Sequence, residues 1–474
     1  MSWKVAASLF VPLVLGTITV TDPSDVVKPS DWAADNAILA DYNVNPIMYL
    51  LSPLEAAYTY SGKSLNISRQ TLSVDANDTS VIIIANEADV EIDHTTVVKF
   101  GYSSDLLQAS FFGSYSREHA TTNPLTFYQG VNAAINVANA STASLSNVNV
   151  TTHNGAANVY AYGTGTVVNV ENAWLYSSGP VSHGLYASGN GTINANNVVH
   201  YSGGNRCSSF SGDNPAGYIN VMNSVAHTDG IGSAICYALG VCNLTNVIGH
   251  ASNAPVTFSD GPQTTIYKNS DVTAGLLAGT ILFSSATREE GASVTFDHSK
   301  LTVLGKTMPA LWFGNTIASG SIISSMINNT ASDILVVANY SQVTQDFDYF
   351  AGYADNNMLS PAEATVSVQD SAVSGSIVAY NGSSISLSLS DYSGWTGTAV
   401  YGYGDATFGV TLDKTSNWTL TATTKLLNFT NADSTLANIL SNGFNIEYSS
   451  SAAANSAWGG KTVSLPGGGS LMPY

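Results

Sequence analysis

Four residues in one region have the types needed for acid–base chemistry or sugar binding. His183 and Arg206 each stand in the opening segment of a Gly-bounded line of sequence, with Tyr186 following His183 and Asp213 following Arg206. An imidazole, a guanidinium, a phenol and a carboxylate brought to one face could hold a sugar or move a proton. Arg206 is the one basic residue between Arg117 and Lys268. Asp213 is also its most economical structural partner, and an ion pair that fixes a turn gives the same pattern. Asp229, in His227-Thr228-Asp229-Gly230, is a further ligand-binding candidate, although Asp-Gly is equally a turn signal. His200, His227 and His250 each close an apolar phrase.

The elements that position these residues are repeats. The lines starting at Gly155, Pro180, Asn205 and Ile231 have 23 to 26 residues, and each carries an apolar-x-apolar-x-Asn phrase. The asparagines form a column: Asn147, Asn172, Asn197, Asn223, Asn246 and Asn269, at steps of 25, 25, 26, 23 and 23. His94 and His298 hold the same place. Alternating apolar residues predict a strand with one buried face, and the Asn marks a bend where the alternation breaks. A repeat this short cannot close its own core, so the turns must stack. Stacked parallel strands sit about 4.8 Å apart, which lets in-register amides hydrogen-bond along the stack. Counted from the column, His227 and His250 share a place and His200 is shifted by one, which predicts a polar stack near a turn. His183 and Arg206 fall on adjacent coils if the Arg206 coil carries an insertion. The expected fold is all-β, a single right-handed parallel β-helix with capped ends. Residues 1–19 read as a signal peptide, 20–80 as an N-terminal cap, 81–425 as the β-helix and 426–474 as a C-terminal coil or cap. Residues 102–125 read as an excursion.

The phrases "SHGLYASGNGTINANNV", "VNAAINV" and "GGKTVSLPGGGSLMPY" resemble secreted bacterial and fungal right-handed parallel β-helix proteins, which are similar in fold to pectin lyases and to adhesin passenger domains. The likeness covers roughly residues 80–474 and implies fold and secretion, not a reaction. His227 to Gly230 resembles the Asn-Thr-Asp-Gly motif of polygalacturonases, which implies a hydrolytic aspartate at Asp229. That chemistry needs a second acid, yet one coil on the chain reads "NVIGHAS", and the Gly-His-Gly and Arg-Ile-Lys motifs are missing. Elimination of the pectate-lyase kind would need clustered carboxylates for calcium. Between residues 120 and 267 the acids are Glu171, Asp213, Asp229 and Asp260, on separate coils.

The start, "MSWKVAASLFVPLVLGTITV", has one lysine, a short apolar run and small residues, as a secretory signal does. No later stretch is long enough to span a bilayer. Glycan acceptor triplets occur at Asn66, Asn77, Asn139, Asn149, Asn190, Asn243, Asn328, Asn339, Asn381, Asn417 and Asn428. Three cysteines suggest one disulfide, Cys207 with Cys236, and one thiol left over. No Cys or His spacing suits a metal, and no cofactor motif is present. Charged residues are 10% of the chain, against about 25% in an ordinary domain, and the net charge is −19. That surface repels nucleic acid and anionic membranes. The expected partners are polysaccharides or cell-surface glycans, and nothing sets an oligomeric state. Two functions follow: a non-catalytic secreted or wall-associated β-helix that contacts glycans, which we adopt, or a polysaccharide lyase or glycoside hydrolase with its site at His183, Arg206 and Asp213.

Overall fold

The computed structural model describes residues 55–101, 130, 132–153, 157–179, 182–204, 207–212, 216–237, 240–284, 287–339, 359–380, 382–402 and 404–474. They form a parallel β-solenoid. One wall is a thirteen-stranded parallel sheet to which successive coils each give a short strand, such as Val159–Tyr162, Leu185–Ser188 and Phe210–Gly212. The rest of each coil is a long bent strand, among them Thr142–His153, Val167–Ser178, Thr192–Ser202, Tyr218–Thr228 and Val241–Ala251. These pair in parallel and in register on both sides of the bend.

The bend is the Asn column. His94, Asn147, Asn172, Asn197, Asn223, Asn246, Asn269 and His298 all have φ between 47° and 55°. This left-handed region costs a residue with a Cβ about 1–2 kcal/mol, and asparagine, aspartate and histidine tolerate it best. Ser324 and Asp370 extend the column at 45° and 46°. The amides then offset part of the strain. Asn147 Nδ2 donates to Asp93 Oδ1 at 3.1 Å, Asn172 to Asn147 at 3.5 Å and Asn197 to Asn172 at 2.5 Å. At the next step the strands stay in register, Asn196 facing Met222 and Val199 facing Val225, but the amide bond shifts by one residue. Asn223 donates to Asn196 rather than Asn197, at 2.8 Å, and Asn197 Oδ1 stays buried without a partner. Asn246 donates to the residue opposite it, Asn223, at 2.7 Å.

Just after the bend, a second ladder takes over in the later coils. Ser224, Ser270, Ser299, Ser325, Ser371 and Ser393 each accept a backbone N–H from the coil before, at 2.9 to 3.3 Å. Inside the coils, aliphatic columns from opposite walls meet in one continuous core, which includes Ile135, Val159, Leu185 and Phe210 facing Val168, Ile193 and Ile219. Trp395 and Trp418 stack inside it at 4.7 Å, and each donates its indole N–H to a glycine carbonyl, so neither ring nitrogen is stranded.

Two expectations change. Stacked coils already begin at Glu55, since Glu55–Ser61 pairs with Thr79–Ala85 and Ser64–Ser68 with Asp89–Asp93. That coil has a neighbour on only one described side, so its exposed strand EAAYTYS lacks the apolar alternation that marks the others. The disulfide joins Cys236 to Cys242, not to Cys207. Cys236 and Cys242 face each other across the coil interior, and the register partner of Cys236 on the preceding coil is Phe210. Cys207 lies earlier, in the turn, where its thiol bonds Gly179 O at 2.7 Å. No helix among the described residues is long and apolar enough to cross a membrane. The signal-peptide region and the excursion at 102–125 lie outside the described residues.

Candidate functional site

The limb of each coil after the bend carries a row in which Tyr176, Tyr201, His227 and His250 are successive register partners, Tyr176 buried and the other three half-buried. At its end sits Asp229, one residue beyond the strand Tyr218–Thr228 and just before Gly230. Asp229 Oδ1 accepts from His227 Nε2 at 2.9 Å and from Ser252 Oγ at 2.6 Å, and Oδ2 accepts from Tyr201 Oη. The His227 hydrogen bond, aided by those from Ser252 and Tyr201, holds the carboxyl well below the usual carboxylate range. The pair is about one-third exposed, at 38% and 36% for His227 and Asp229. Burial, and the neighbouring His227, push His250 down from its ordinary value.

This geometry limits the chemistry. A serine triad needs the acid on one imidazole nitrogen and the nucleophile on the other. Here Ser252 Oγ and Asp229 both approach His227 Nε2, at 3.4 and 2.9 Å, so Ser252 is not activated. Two-carboxylate hydrolysis needs a second acid facing the first. His227 pairs with His250 and Thr228 with Ala251, which puts Ser252 in the place where that acid would stand. The rings are also not a stacking platform. Tyr176 and Tyr201 lie 6.4 Å apart and 18° from parallel, and Trp174 stacks on Tyr176 at 6.3 Å, with Trp174 and Tyr176 both buried, so these ring faces meet one another rather than solvent. The half-buried Tyr201, His227 and His250 offer hydroxyl and imidazole edges rather than flat faces. Replacing Tyr201 by phenylalanine is expected to raise the Asp229 pKa measurably, read from its side-chain carboxyl shift in an NMR titration. An unchanged value would mean that the Tyr201 bond does not act on the carboxylate.

Of the residues singled out from sequence, His183 and Tyr186 do come together, with ring centroids 5.3 Å apart. Both are buried, and Tyr186 stacks on Tyr160 at 4.7 Å. His183 Nδ1 accepts the Ser208 backbone N–H at 3.1 Å, and burial pushes its pKa down to about 3. It is a neutral staple between two coils. Arg206 and Asp213 lie outside the described residues. The one-residue shift of His200 turns it inward, into the column of Leu175 and Ala226. There Ser177 and Ser209 hydroxyls bond its two nitrogens at 3.0 and 2.8 Å, and burial, with His183 nearby, takes its pKa to about 3. Sequence reasoning missed Tyr201 and Ser252 as partners of Asp229. Counting one coil back from His227 would have reached Tyr201, and one coil forward from Asp229 would have reached Ser252.

On the limb before the bend, Asn169, Asn194, Asn220 and Asn243 form an outward amide ladder, each later Nδ2 donating to the earlier Oδ1 at 2.9 to 3.1 Å. Beside it Asn196 Nδ2 donates to both Glu171 oxygens at 2.9 Å. Between the two lies an open groove of about 280 Å³. Among the acceptor asparagines, Asn66, Asn77, Asn139, Asn190, Asn417 and Asn428 are exposed, while Asn149, Asn243, Asn328 and Asn339 are half-buried. Asn381 lies outside the described residues. Among the described residues no group of three His, Cys, Asp or Glu side chains could hold a metal ion. Comparison with protein-family models, with curated proteins and with solved structures finds no match.

Proposed function

We propose that the chain is a secreted, N-glycosylated, right-handed parallel β-helix that holds glycans or surfaces outside the cell or in its wall, without catalysis. The observation that carries this reading is the state of Asp229. Its oxygens are taken by His227, Ser252 and Tyr201, and its place on the next coil is occupied by Ser252 rather than an acid. A carboxylate satisfied in this way is a poor proton donor and a good anchor for a row of hydroxyl and imidazole edges. The apolar run before Gly16 and the scattered acceptor triplets support secretion and glycosylation.

The alternative, a polysaccharide lyase or glycoside hydrolase at His183, Arg206 and Asp213, requires a group that exchanges protons near neutral pH. The burial and the occupied Nδ1 of His183 count against that role. The test is a broad polysaccharide panel assayed for both binding and product release, with wild type beside Arg206→Ala. We expect retention on a polysaccharide and no new reducing ends or unsaturated products. Products made by wild type and lost in Arg206→Ala would overturn the proposal in favour of the enzyme.

A further inference from the structure

We propose that the groove between the two amide ladders before the bend is a binding site for a neutral, hydroxyl-rich polysaccharide lying along the solenoid axis. The inference rests on the glycan-holding reading and gives it a location and a ligand class. The groove is lined by Asn169, Asn194 and Asn220 on one side and by Glu171, Asn196 and Met222 on the other. An amide has two N–H donors and two acceptor sites. The middle asparagines of the outer ladder, Asn194 and Asn220, each spend one of either kind on their neighbours. Each therefore keeps a donor and an acceptor for the groove, repeated at the strand spacing of about 4.8 Å. Such paired groups match vicinal hydroxyls, each of which donates and accepts.

Charge narrows the ligand further. Among the described residues Glu171 is the one charged group lining the groove, and both its oxygens already accept from Asn196. An anionic chain would face that carboxylate and a net charge of −19, with no cation among the described lining residues to oppose them. An added peptide strand needs a free sheet edge, whereas these strands are paired on both sides. The site is separate from the Asp229 cluster, which lies beyond the bend.

The test is affinity electrophoresis of the full chain through gels containing a soluble neutral glucan, mannan or xylan, with polygalacturonate as the anionic control. We expect retardation by at least one neutral polymer and none by polygalacturonate. The double variant Asn194→Ala with Asn220→Ala should bind about tenfold more weakly or worse, having lost several hydrogen bonds on the ligand. Lys300→Ala, which removes a surface ion pair with Asp271 outside both the groove and the Asp229 row, should bind as wild type. Thermal melting checks that the double variant folds; if it does not, Asn220→Arg blocks the groove in its place. Wild-type retardation that survives these groove changes, or that is lost in Lys300→Ala, overturns the groove while leaving the glycan-holding reading intact. Retardation by polygalacturonate alone does the same. No retardation by any polymer overturns both.

Discussion

Asn223→Ile is expected to destabilise the protein by about 3 kcal/mol. Asn223 stands in the bend at φ 50°, where a β-branched side chain adds steric strain of about 1–2 kcal/mol to what asparagine bears. The change also removes the donor to Asn196 and the acceptor for Asn246, at about 1 kcal/mol net for each bond. Asn223→Gly separates the two contributions. Glycine takes the left-handed conformation without strain and loses only the ladder, so about 1–2 kcal/mol should go. Urea unfolding midpoints at an unchanged slope give both values. Equal losses in the two variants would show that the bend conformation carries no cost and that the amides alone matter.

The second large effect is pH-dependent. His183 and His200 have folded pKa values of about 3, well below the unfolded value of about 6.5. A depressed histidine pKa means that the unfolded chain takes up the proton first. Stability is therefore whole above pH 6.5 and falls as the pH drops toward 3. The slope is at most about 1.4 kcal/mol per pH unit for each histidine. His200→Leu should remove one of the two contributions, since its column is otherwise aliphatic, with Leu175 before it and Ala226 after it. At pH 7 the variant should stay within about 2 kcal/mol of wild type, the loss coming from the Ser177 and Ser209 hydroxyls. At pH 4.5 it should gain about 2–3 kcal/mol relative to its pH 7 difference. Melts at the two pH values decide this. Parallel losses in both proteins would mean that His200 does not drive the acid transition.

Much of this frame is legible in the chain, because period and conformation share a cause. Asparagine and histidine recur where the backbone must turn left-handed, so Asn147 to Asn269, His94 and His298 mark the bend before any coordinate is known. Ser324 and Asp370 share the bend but escape notice, since no ladder amide marks them. The slip at Asn223 has no mark in the chain, because the strands keep Asn223 opposite Asn197 and only the direction of its amide strands the Asn197 oxygen. The cysteine pairing was illegible for a different reason. Proximity along the stack favours Cys207 with Cys236, but side-chain direction across the coil decides for Cys242. The same holds for the site. Asp229 stands out by its motif, whereas Tyr201 and Ser252 matter only through the register that aims them at it.

The amide ladders have a direction. In each recorded link the later coil supplies the N–H and the earlier coil the oxygen. The side-chain dipoles therefore add, with the positive pole toward the amino-terminal end, and at that pole of the two ladders through the bend stands a carboxylate. Asp93 receives Asn147, and Glu171 receives Asn196. This is the logic of an anion at a helix amino terminus, built from side chains instead of peptide groups. The hydrogen bonds from Ser146, His94 and Asn147 hold Asp93 well below the ordinary carboxylate range. In an acidic chain, these two carboxylates thus have an electrostatic post: they seat the negative charge where a column of aligned amides ends.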